Sequence, residues 1–367
     1  MNKEVISDKQ GISIIILYMS GTSSILVFGI IAKQDIWLAT IISILMALFT
    51  ACIFGRLHYI FPGKNLFDIF ESCCGKIIGR GITVLYIWFA IHEGTLVGMN
   101  IYQFITDTIL SETPNIAVFI LLLLICTYFV KKGIEVIGRW AELMFIPTVV
   151  FVTIIALLLI PNMKINNIRP VLKDGIMPAL KGAFVIFSFP FGEIVTFSMV
   201  FSIFRTKKSP YRIYIIGLLI GGVIVFITSL TTVLVIGVNS ASEAYYPVYK
   251  AFTRIKIAGF IQNFEVIGAS SFIVGGFLKV SIYILAVSKG ISSLFNLKDY
   301  RFIVIPIVVQ MLNMSYFLHY SRIEYNKWNF EIFPYYAFPF EMIIPVIIWF
   351  IAEIRFNRLG YKQLRKL

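Results

Sequence analysis

Glu93, Glu193 and Lys279 each stand in the middle of a long apolar stretch. At 1.5 Å per residue, each lies roughly 15–20 Å along a helix from the basic residue that closes its stretch, Arg80, Arg205 or Lys289. The three therefore share one depth, near the centre of a bilayer. An ionised side chain facing lipid there costs roughly 2.5–3.5 kcal/mol. Three such groups would consume much of a typical folding stability of about 5–15 kcal/mol. They are expected to face the protein interior and to pair or be neutralised. Lys279 is the one mid-span cation for two mid-span acids. Two chemistries fit: a salt bridge that locks helices together, or a cluster that binds a charged ligand or passes ions. Charge inside a membrane favours the second by default.

Other reactive residue types point to no chemistry. His92 adjoins Glu93, but consecutive helical residues point about 100° apart, so a shared proton relay needs a bridging water. His58 and His319 fall at the ends of apolar stretches. Cys52 and Cys126 fall inside them, and Cys73–Cys74 are adjacent, which is not zinc spacing. No nucleophile–base pair, metal set or phosphate loop is present, so neither an enzyme nor a cofactor is expected.

The backbone around one acid is as unusual as the acid. Residues 185–195 read VIFSFPFGEIV. Pro190 removes a backbone donor and clashes with the preceding turn. Gly192 weakens a helix by about 1 kcal/mol relative to alanine. With Glu193 they predict a helix unwound from Ser188 to Gly192, with a lower half-helix starting near Glu193. An earlier apolar stretch carries a matching interruption, SGTSS, from Ser20 to Ser24. Interrupted segments at corresponding positions in two halves point to a transporter-type site near the midplane.

The elements that must position these residues are membrane helices. Apolar runs recur at roughly 12–31, 36–57, 81–110, 115–131, 139–160, 180–204, 212–238, 258–288, 301–320 and 336–354. Each is long enough to cross about 30 Å of hydrocarbon. None alternates as barrel strands do. Charged residues make up 14% of the chain, against roughly 25% in soluble domains. The expected architecture is one all-α integral membrane domain over residues 1–367. Ten spans divide into five and five, so the halves, about 12–160 and 180–354, insert in opposite orientations as an inverted repeat. The interrupted helices are the first of each half, helices one and six.

The net charge of +13 fits orientation better than nucleic acid. With the N-terminus in the cytoplasm, inner segments carry 21 Lys and Arg residues and outer segments 10. That bias places both termini inside and the loop 161–179 outside. The basic tail 355–367 is expected to lie on anionic membrane lipid. The first stretch is too long for a cleaved signal peptide and lacks a cleavage site. Residues 65–78 and 245–257 are candidate short interfacial helices.

Several stretches together resemble one known family. They are QDIW (34–37), FPGKNLFDIFESCCGKIIGR (61–80), TPN (113–115), KKGIEVIGRWAEL (131–143), NIRPVLKDGIMPALKGAFVIFSFPFGE (167–193) and YPVYKAFTRIKIAGFIQNFE (246–265). In order and spacing they are similar to the membrane-embedded B subunit of bacterial spore germinant receptors, within the amino acid–polyamine–organocation superfamily. The resemblance implies a ten-helix LeuT-type fold and a multi-pass subunit of the spore inner membrane. It also implies A and C subunits as partners. It implies a small-molecule nutrient, an amino acid by class, bound between helices one, three, six and eight. By position the pocket would take Gly21, Thr22, Ser23 and Ser24 from helix one, and Phe89 and Glu93 from helix three. Helix six would give Ser188, Phe189, Pro190, Phe191, Gly192 and Glu193, and helix eight Lys279 and Tyr283. An amino acid/cation symporter of the same fold is the alternative, because fold does not separate the two.

Overall fold

The computed structural model describes residues 4–255, 264–319 and 321–364, all helix, turn and loop apart from a single bridge between Ile6 and Phe204. Its helices are α1 (Asp8–Ser23), α2 (Ile36–Ile60), α3 (Leu66–Thr108), α4 (Asn115–Lys132), α5 (Ile134–Leu159), α6 (Met177–Ile186), α7 (Val195–Val200), α8 (Ser209–Glu243), α9 (Pro247–Phe252), α10 (Phe264–Phe295), α11 (Val304–Phe317), α12 (Arg322–Lys327), α13 (Phe333–Phe338) and α14 (Ile344–Leu364). Among the described residues, nine helical stretches are long and apolar enough to cross a membrane. The first expected span completes the ten. It is helical for only 16 residues before it breaks, which is why length alone does not count it. Residues 258–263 of the eighth expected span and 365–367 of the tail lie outside the described residues.

The inner segment 65–78 opens α3 as a short helix of its own, capped by Asn65 and parted from the long span at Gly75, whose φ of 80° and ψ of 175° are not helical. Two boundaries differ from the hydropathy reading, each for a visible reason. The seventh span runs on to Glu243 through a bend at Gly237 (φ 76°). The last span begins at Arg322 rather than 336, with Ser321 Oγ accepting from the Glu324 amide as its N-cap. Arg322, Asn326 and Asn329 in that added length line an internal cavity, so a scale that assumes lipid misses them.

Burial separates an inner layer from an outer one. In the best apolar windows of 177–200 and 268–295, 89% and 83% of the residues are buried, against 28% and 22% in α4 and α5. Helix α1 joins the inner layer, packed on α5, α8 and α10. Glycines set the close approaches. A Cβ at Gly21 would meet the Gly275 backbone at 2.7 Å, so α1 and α10 touch main chain to main chain. Gly217 and Gly221 of α8 likewise receive Ile15 and Met19 of α1.

Both predicted interruptions are present. Helix six breaks at Phe189 (φ −147°, ψ 115°), between α6 and α7. Helix one breaks later than the SGTSS signal suggests: Gly21, Thr22 and Ser23 are still helical, and the irregular stretch is Ser24–Gly29. The serines hold the helix end together instead of opening it. Ser23 Oγ donates to Met19 O at 3.0 Å and Ser24 Oγ to Ser20 O at 2.7 Å. The actual turn is made by Gly29 (φ 68°). The loop 161–179 is clipped beside this turn, with Lys33 Nζ 2.7 Å from Asp174 and the Leu172 amide donating to Asp35 at 2.9 Å.

Candidate functional site

The Gly21–Gly275 crossing fixes where the charges meet. Gly275, Lys279 and Tyr283 follow at intervals of four and share one face of α10. With the two backbones in contact, Lys279 Nζ reaches Thr22 Oγ1 of α1 at 3.2 Å and Glu193 Oε2 at 2.5 Å. Tyr283 donates to the other oxygen, Glu193 Oε1, at 2.7 Å. The ammonium also sits 3.7 Å from the centroid of the Phe189 ring and 4.8 Å from that of Tyr18. Lys279 and Glu193 are fully buried. The pair therefore ties helices one, six and eight together with both carboxylate oxygens used. Desolvation is offset only because hydrogen bonds complete the pair.

Beside this closed cluster is an open one. A cavity of about 460 Å³ lies between α3, the first break, Phe189 and the α12 segment, and it reaches residues 241–247. Leu26, Val27 and Phe28 of the first break line it, and Phe189 of the second. The two breaks meet there ring to ring, with Phe28 4.6 Å from Phe189. Glu93, Asn100 and Gln103 project into the cavity from α3, and Asn326 and Asn329 from the facing helix. Arg322 stands at the rim, bonded to Asp107 and to Tyr246 Oη. Glu93 is only 2% exposed, and its Oε2 has no hydrogen-bond partner among the described residues.

The structure thus sorts the residues that sequence proposed for a pocket. Only Glu93 and Phe189 line the cavity. Thr22, Glu193, Lys279 and Tyr283 form the closed cluster that adjoins it through Phe189. Gly21 serves the helix crossing. Ser23 and Ser24 bond back to carbonyls, and Ser24 faces a narrow groove toward α5 and α8 instead. Ser188 Oγ donates to Pro334 O at 3.2 Å, and Phe89 stacks on Phe340 at 4.7 Å. Pro190 and Phe191 are buried, away from the cavity lining. The freed carbonyl of Ile25 accepts from Val248 at the start of α9, so α9 satisfies it. The half-helix at Glu193 does not border the cavity either: none of residues 190–195 lines it.

One acid escaped the sequence reading. Glu341 is fully buried inside the last span, both of its oxygens lack hydrogen-bond partners among the described residues, and it packs against Gly192. A Cβ at Gly192 would collide with the Glu341 carboxylate. Glu341 seemed close to a span end only because the helix was taken to start at 336. Asn100 and Gln103 also went unnoticed, although seven and ten residues from Glu93 is the spacing of one helix face.

Comparisons with known proteins agree with this architecture. The spore permease family profile, described as spore germination protein, matches residues 5–322. Spore germination protein KB of Bacillus subtilis (strain 168) is 28% identical over 356 residues, covering 96% of this chain and 95% of that protein. Spore germination protein A2 of the same organism is 26% identical over 79% of each chain. Spore germination protein XB of Bacillus anthracis is 21% identical over 69% of this chain and 71% of its own. Among solved structures, Mhp1 superposes with a TM-score of 0.64 at 12% identity, covering 86% of this chain and 73% of that one. Mhp1 is a nucleobase-cation-symport-1 family transporter, seen closed with bromovinylhydantoin bound. At that identity the likeness shows the shared LeuT-type fold.

Proposed function

The chain belongs to the spore permease family of spore germination proteins, and from that premise we propose that it is the nutrient-binding transmembrane subunit of a germinant receptor. It binds a small nutrient, an amino acid by class, in the cavity at the middle of the bundle. Binding there biases the two broken helices and so starts germination signalling or ion release. The observation that carries this reading is the cavity itself: both breaks wall it, and it holds a buried carboxylate with an oxygen that has no hydrogen-bond partner among the described residues. An occupant touching Phe28 and Phe189 would contact the two elements that alternating access moves in this fold. A and C subunits are its partners in the spore inner membrane, and both termini lie in the cytoplasm.

Leu96→Trp places bulk in the cavity, since Leu96 lines it one turn beyond Glu93. Spores with that variant at matched subunit level are expected to need far more nutrient for half-maximal germination, or not to respond. An unchanged dose–response would move the pocket elsewhere. Uptake of labelled amino acid into proteoliposomes separates the two functional classes. A receptor binds without accumulating, whereas a symporter concentrates its substrate against a gradient.

A further inference from the structure

We propose that the cavity recognises its occupant through a primary ammonium group, which docks on Glu93 at the deep end, while the rest of the molecule lies along the amides toward Arg322. The inference rests on the cavity being the nutrient site and adds which end of the ligand enters first. Glu93, Leu96, Asn100 and Gln103 recur at helical spacing along one face of α3, so they descend from the rim to the acid. Asn326 and Asn329 face them from the opposite wall. These amides are neutral and accept hydroxyl, amide or carboxylate groups alike. The deep end is different. Among the described residues it offers one carboxylate with an unused oxygen, the ring of Phe189 and no free cation. Lys279 lies behind that ring, fully buried and held by Glu193. Arg322 is held at the rim by Asp107 and Tyr246.

An unpaired buried acid is costly, and an arriving ammonium supplies both the counter-charge and the missing donor. The aromatic faces of Phe28 and Phe189 favour a cation for the same reason that Phe189 already faces Lys279. A carboxylate entering first finds, among the described residues, no free cation at the deep end to pair with. A neutral polyol leaves the acid without a counter-charge.

The test uses the full chain in lipid nanodiscs and four probes: L-leucinamide, L-leucine, 4-methylpentanoate and D-glucose. Binding is read by equilibrium titration, and folding by monodispersity and thermal melting. L-leucinamide and L-leucine are expected to bind, and the other two not. Glu93→Gln should weaken both amines at least about tenfold, the loss of one hydrogen bond to a charged group. Glu93→Asp keeps the charge one methylene further back and should lose less, which covers the case in which Glu93→Gln does not fold. Amine binding that ignores both substitutions overturns the proposal. So does binding of 4-methylpentanoate or glucose as tight as that of the amines. If glucose binds, is lost in Leu96→Trp and ignores Glu93→Gln, the cavity stands and the ammonium assignment falls. If no probe binds, or binding survives Leu96→Trp, both fall together.

Discussion

Glu193 and Glu93 are the same residue type at nearly the same depth, both almost completely buried, yet their surroundings are opposite. Glu193 has every oxygen taken, by Lys279 on one side and Tyr283 on the other. Glu93, on the neighbouring helix, keeps an oxygen without a hydrogen-bond partner among the described residues and borders a cavity. The difference lies in what faces each. Glu193 looks toward α10, where a glycine crossing draws the helices close enough for short side-chain contacts. Glu93 looks toward a facing helix that stays clear and is lined with amides. A mid-membrane charge is therefore not one kind of signal. Paired, it joins helices. Unpaired beside a void, it is available to a ligand. Substitutions in the closed cluster should act first on stability, and those in the open one on ligand response.

The largest effect is expected from Lys279→Met. It strands Glu193 in a dry site, which costs about 3–5 kcal/mol for a buried pair, and subunit level should fall steeply. The double variant Lys279→Met with Glu193→Gln should recover much of that level, because no charge is left uncompensated. Equal losses in the single and double variants would mean that the pair is not what closes this cluster.

Tyr283→Phe comes next. It removes one hydrogen bond to a charged acceptor, about 1.5–3 kcal/mol, without creating a cavity. Thermal melting of the purified chain should report the drop. Gly192→Val is expected to cost about 1–3 kcal/mol by overpacking. The reason is local: Gly192 has ordinary helical angles (φ −65°), so the obstacle is the Glu341 carboxylate and not the backbone. Adding Glu341→Ala should relieve part of that loss. Strict additivity in a melting-point cycle would show that the two residues do not meet.

The smallest effect on stability belongs to Glu93→Gln. Among the described residues no ion pair is broken, the shape is kept and no buried charge is stranded, so the melting temperature should not fall. A loss as large as that of Tyr283→Phe would erase the contrast between the two acids.

The sequence by itself determined a good deal. Ten apolar runs, their odd-numbered halves and the cluster of Pro190 with Gly192 announced an all-helical membrane fold with a broken sixth helix, because desolvation of the backbone and the geometry of proline are local facts. Glu93, Glu193 and Lys279 were legible for the same reason: a charge amid apolar residues stands out wherever the helix packs. The first break was placed a few residues early. Whether SGTSS opens a helix or staples its end depends on which carbonyls the serines reach, and Gly29 supplied the turn instead. Pairing was beyond the sequence as well. Which acid would meet Lys279 was set by the Gly21–Gly275 contact, a meeting of residues more than 250 positions apart. Glu341 and the amides of α3 and α12 stayed hidden because hydropathy takes every helix face to look at lipid. Only the tertiary structure shows that these faces look inward, onto a cavity and onto one another, where a polar side chain costs least and does its chemistry.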